Sequence, residues 1–191
     1  MVSHGPTPLR NRYFVLQWNF SLIQPRGGVE ETAASLEEHV REQIRAFVLA
    51  YRDHLGGSPA AMLTSLLSVV SQTPYKLYLL IDEYDNFVNE VMVRDVTTYK
   101  ALFEADGPYK QLMKSVKAAT EGQGLERVFV TGVSPVALND LTSGFNNAKD
   151  VSLEPELAGL CGFREREIRD VLALVAKERE LSGAAVEETR W

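Results

Sequence analysis

Two acidic residues, Asp82 and Glu83, stand where the apolar run of residues 75–81 (YKLYLLI) ends. A nearly continuous apolar run of that length reads as a strand buried on both faces of a parallel sheet. Open α/β sheets place their ligands at the carboxyl ends of such strands. Adjacent side chains on a strand point to opposite sides, so the two carboxylates can divide a task. In nucleotide hydrolysis one acid anchors Mg²⁺, often through its waters, and a following glutamate orients or deprotonates the attacking water. An acidic pair also marks where a strand leaves the core for a solvated loop, and taken alone that plainer reading is the commoner one.

A second strand-like run, residues 127–130 (RVFV), ends in Thr131 and Gly132. At the matching edge of a neighbouring strand, the Thr131 hydroxyl could sense a γ-phosphate or position a water; in isolation it is more often a turn residue bonding locally. Arg164, Arg166 and Arg169 could reach a phosphate, although such a run is more often a solvated helix face. His4, His39 and His54 lack metal-ligand spacing and have no cysteine partner. Ser134 lies outside a GxSxG elbow and lacks a nearby histidine, so a hydrolase triad is not supported.

These residues need a frame to hold them. Residues 13–20 (YFVLQWNF), rich in aromatic and β-branched types, read as a further strand. A helix is expected from a Ser35/Glu38 capping box through Leu36, Val40, Ile44, Phe47, Tyr51 and Leu55 to Gly56 and Gly57. A second is expected from Ser58 and Pro59 through Val70, a third from Pro108 through Val116 to the turn at residues 122–124, and a short one over residues 136–141. An extended piece is expected at residues 150–153 and a last helix carrying Ile168, Val171, Leu172 and Val175. Strands alternating with helices imply an α/β fold built on a parallel sheet.

Composition narrows the function classes. The 191 residues are 45% hydrophobic and 24% charged, the balance of a globular chain. A net charge of −6 and a pI near 5.2 provide no basic field for nucleic acid or an acidic membrane. Cys161 is the only cysteine, so no disulfide forms within the chain, and the usage fits a reducing, intracellular compartment, cytoplasm or nucleus. Residues 1–12 hold no apolar stretch long enough for a signal peptide, so an intracellular protein is expected. The longest apolar runs, such as residues 77–81, fall far short of the roughly twenty residues that cross a bilayer.

The motifs LLIDEYD (residues 79–85) and VFVTGVSPVALNDLTSGFNNAKDVSLEPELAGL (residues 128–160) resemble those of the predicted AAA-ATPase-like family, P-loop ATPases related to archaeal and signal-transduction ATPases. The resemblance spans roughly residues 12–175, with Trp18 and Asn19 where the family pattern has a leucine and an aspartate. It implies that Asp82 is the Walker B metal-side aspartate, Glu83 the catalytic glutamate and Thr131 the polar sensor. Asp85, Ser134 and Asn146 match motif positions without an implied role. It further implies a sheet in which residues 13–20, 75–81 and 127–130 are contiguous, with 75–81 in the middle, and ATP and Mg²⁺ as cofactors of the complete domain.

One part of the pattern is missing. The phosphate loop GxxxxGK[ST], whose backbone N–H groups and lysine hold the phosphates, occurs nowhere in the 191 residues. Gly27–Gly28 and Gly122–Gly124 read as turns. The sequence therefore implies a polar tail (1–12), a partial ATPase-like domain lacking the first strand and phosphate loop (13–182), and a second tail (183–191). The leading expectation is a truncated ATPase domain that binds ATP poorly alone; the alternative is a degenerate, non-catalytic module serving as a protein-interaction platform. An uncovered edge on the strand at 127–130 implies self-association or poor solubility unless residues 150–153 pair there.

Overall fold

A computed structural model describes residues 8–57, 59–60, 62–103, 106–122, 124–133, 148–157, 159 and 164–178. The chain divides into two compact units, Met1–Asn147 and Ala148–Trp191. The first holds strands β1 (Tyr13–Asn19), β2 (Lys76–Asp82) and β3 (Leu125–Val130) and helices α1 (Val29–Tyr51), α2 (Leu63–Val70), α3 (Tyr84–Arg94), α4 (Val96–Phe103) and α5 (Pro108–Thr120). The fold is α/β, as the sequence implies.

The three strands form one parallel sheet in the order β1-β2-β3, so the strand ending in Asp82 is central. Leu16 pairs with Leu79 and Leu79 with Val128, and Asn19 sits opposite Asp82. Between Leu77/Tyr78 and β3 the register shifts by one residue, leaving Glu126 as the extra residue of a bulge. Alternation then sorts the side chains: Phe14, Leu16, Trp18, Leu77, Leu79 and Ile81 are buried, while Val15 and Gln17 between them are exposed. The buried set joins Leu36, Ile44 and Phe47 of α1, Leu66 of α2, Phe87 of α3, Leu102 of α4 and Tyr109 and Val116 of α5 in one core.

Several expected boundaries move. Helix α1 starts at Val29, where the Glu31 carboxylate accepts the Gly28 N–H (3.0 Å); Ser35, the expected cap, lies inside the helix and donates to the Glu31 carbonyl one turn back (2.9 Å). Helix α2 starts at Leu63 rather than Pro59, because the Ala60 N–H bonds the Ser65 hydroxyl and the Met62 N–H turns back to the Ala60 carbonyl. Ser58 and residues 136–141 lie outside the described residues. Helices α3 and α4 were not expected from the sequence at all. They meet at Asp95, whose carboxylate accepts the N–H groups of Thr97 and Thr98 and the Thr98 hydroxyl, capping α4.

In the second unit, residues 150–153 form a turn rather than an extended piece. Asp150 accepts the Ser152 N–H (2.9 Å) and Val151 the Glu154 N–H (3.2 Å), a local pairing that replaces a strand ladder. The last helix, α6 (Glu165–Glu178), carries Ile168, Val171 and Val175 as expected.

Candidate functional site

The ends of β2 and β3 bring the sequence candidates together. The Thr131 N–H continues the ladder to the Ile81 carbonyl (2.8 Å), which sets the Thr131 side chain beside Asp82. Its hydroxyl donates to Asp82 Oδ1. Asp82 is half-buried, and among the described residues Thr131 is the one donor to its carboxylate, on Oδ1. A carboxylate held on one oxygen fits the way Mg²⁺ is bound in phosphate chemistry, by one or two carboxylates with its waters retained.

Glu83 follows in left-handed backbone (φ 52°), a conformation that costs a non-glycine residue of the order of 1 kcal/mol. It is exposed, and it is the turn residue that lets the chain pass from β2 directly into α3. Tyr84 and Asp85, the first residues of α3, are buried. The Tyr84 N–H bonds the Thr131 carbonyl (3.2 Å), and both Asp85 carboxylate oxygens accept the Val133 N–H (3.1 and 3.2 Å). Below them, Tyr109 is fully enclosed; burial, with Tyr84 and Asp85 adding to it, pushes its phenol well above the ordinary tyrosine range.

A family model described as predicted AAA-ATPase matches residues 1–142. The chain belongs to the predicted AAA-ATPase family. No curated protein and no solved structure matches it. Within this predicted AAA-ATPase domain the match takes in Asp82, Glu83, Asp85, Thr131 and Ser134 and ends before Asn146.

The other candidates fall elsewhere. Ser134 and Asn146 lie outside the described residues. In the second unit the Arg164 N–H bonds Glu167 (2.8 Å), Arg169 pairs with Glu165 (2.6 Å) and Arg166 faces Asp170 (3.8 Å), all on an exposed helix. His39 lies in the core of the first unit against Phe20.

What sequence reasoning missed at this sheet edge is Asp85 as a tie between the two strand ends. The residues concerned are 48 apart in the chain, a contact that no local pattern announces. Gly132 belongs with it: a Cβ there would lie 2.5 Å from Asp85 Oδ1 and closer still to the Tyr84 ring, so only glycine fits between them.

Proposed function

We propose that the chain supplies the acidic, metal-and-water half of an ATP-hydrolysing site, with Asp82 on the Mg²⁺ side, Glu83 as the base for the attacking water and Thr131 as the polar sensor. The observation that carries this reading is the Thr131–Asp82 hydrogen bond at the carboxyl edge of the two paired strands, with Glu83 exposed immediately beside it. Membership of the predicted AAA-ATPase family supports the ligand class.

In this reading Asp82 would meet the hydration shell of the metal through its other oxygen, while Thr131 holds Oδ1. Mg²⁺, when bound, supplies the positive charge that screens the phosphates. Glu83 takes the proton of the water, and its exposed position at the strand end leaves it free to meet a substrate. The phosphate loop pattern does not occur in these 191 residues, so a complete site would need it from elsewhere. Two carboxylates repel ATP without a cation, so the acidic half binds weakly alone.

Calorimetry tests this. The chain is expected to show no saturable Mg-ATP binding in the micromolar range, and addition of a strand and GxxxxGK[ST] loop before Arg12 is expected to create it. In that protein Glu83→Gln should keep ATP binding and lose roughly a hundredfold or more in turnover, the usual scale of a lost general base. Tight binding by the chain as it stands, or unchanged turnover in Glu83→Gln, overturns the assignment; binding without any turnover points to a non-catalytic module.

A further inference from the structure

We propose that Asp85 is a positioning residue of this site: by gripping the Val133 amide it locks the turn after β3 onto the turn after β2. That lock keeps the Thr131 hydroxyl on Asp82 and holds Glu83 in its left-handed backbone. The inference rests on the roles given above to Asp82, Glu83 and Thr131, and it adds the part that keeps them in register.

The two turns are laced residue by residue. Thr131 is tied through its amide to Ile81, through its carbonyl to Tyr84 and through its hydroxyl to Asp82. Val133 is tied to Asp85. Gly132, between them, lies flat on Tyr84 and Asp85 with no room for a methyl group. Asp85 thus closes the lace two residues beyond Thr131, and it does so with a carboxylate that is 3% exposed. Its two oxygens stand nearly equidistant from the Val133 nitrogen, a symmetric grip that an amide, with one acceptor and one donor, cannot reproduce.

Burying a carboxylate is a poor way to add stability, since the lost hydration often exceeds what the new partners return. The fold sets its place: it lies in the first turn of α3, on the side of the helix dipole that suits a carboxylate, and it accepts the Val133 N–H. Both aim the carboxylate at the β3 turn. Glu83 explains why a firm grip is needed, because a left-handed glutamate relaxes to ordinary backbone unless its neighbours over-determine it. Tyr84 and Asp85, bonded across to Thr131 and Val133, are those neighbours.

The test uses the full chain without nucleotide, reading amide exchange and the Thr131 χ1 couplings by NMR. In the unmodified chain the Tyr84 and Val133 amides should be protected and Thr131 should hold one rotamer. Asp85→Asn is expected to speed Val133 exchange about tenfold and Asp85→Ala about a hundredfold, the range of a lost hydrogen bond to a charged group. Thr131 should become rotamer-averaged in both. The Leu77 amide, bonded to Gly124 at the far end of β2, should keep its rate. Gly132→Ala, which keeps the carboxylate and forces the turns apart from the other side, should produce the same Thr131 averaging and remains informative if Asp85→Ala fails to fold. Unchanged Thr131 couplings in both Asp85→Asn and Gly132→Ala overturn the proposal. So does an equal rise in exchange at Leu77, the mark of general loosening. A failed ATP experiment leaves these readouts standing, so the two readings can fall separately.

Discussion

Leu16 and Val15 are neighbours on β1, yet Leu16 is 1% exposed and Val15 40%. The same division runs through the whole sheet. On one face the strands and helices α1–α5 share a single core; on the other, among the described residues, Val15, Tyr78, Leu80 and Phe129 stand outside that core. Parallel sheets in α/β proteins are ordinarily covered on both faces, and a continuous apolar run such as residues 75–81 is composed for that state. The difference teaches that apolar composition alone does not say which face carries the stability. The closed face holds the fully buried side chains, while the open face holds an exposed Val15 and half-buried Tyr78, Leu80 and Phe129.

The largest effect should therefore come from crossing that boundary by one residue. Leu16→Ala is expected to cost about 2–5 kcal/mol, the range for removing a buried leucine side chain. Val15→Thr, which keeps the β-branch, should stay within about 0.5 kcal/mol. Urea denaturation of the two variants checks the pair. Equal losses would show that the open face contributes to stability as the closed one does and would erase the comparison.

A smaller effect sharpens the closed face. His39 is buried there, and desolvation lowers its pKa from the ordinary 6.5 against the opposing pull of Glu42 and of a hydrogen bond to the Asn19 backbone. Among the described residues its Nε2 has no hydrogen-bond partner, and the native state favours the neutral ring. As pH falls below 6.5, the unfolded chain takes up a proton that the folded chain resists, and stability falls until the depressed folded pKa is reached. Denaturation midpoints of the unmodified chain should thus decline from pH 7.5 to 5.5, and His39→Gln should flatten that slope. A slope that survives the substitution would place the titrating group elsewhere.

The sequence made the sheet legible because strand length, apolar runs and turn glycines are local properties. Residues 13–20, 75–81 and 127–130 lie within a residue or two of β1, β2 and β3. Helices α3 and α4 escaped because no glycine or proline separates them from each other: Asp95 alone divides them, and its capping role appears only once its bonds to Thr97 and Thr98 are seen. The α1 start was misplaced by a competing signal, since Ser35/Glu38 and Gly28/Glu31 offer similar spacing and only the second forms. For the site, the placement of Asp82, Glu83 and Thr131 at one sheet edge followed from their positions at strand ends. The Asp85–Val133 tie and the tight seat of Gly132 did not, because both depend on how two distant turns meet.

The smallest effect belongs to the polar cluster on the open face. There Tyr13 donates to Glu126 (2.5 Å) and accepts from Arg127 Nε (3.1 Å), at the wall of a cavity of about 470 Å³ that Tyr51 and Tyr78 also line. The Tyr13 hydroxyl and its neighbours raise the Arg127 pKa, which changes nothing at neutral pH because the guanidinium is already charged. All three side chains meet solvent, and exposed polar pairs exchange one set of hydrogen bonds for another with water. Tyr13→Phe keeps the ring against Tyr78 (5.7 Å between centroids) and removes only the hydroxyl. Its denaturation midpoint should match that of the unmodified chain within the repeatability of the measurement, and the shift should be smaller than for either strand variant. A clear loss would mean that the Tyr13, Glu126 and Arg127 side chains form a cooperative network bracing the open face.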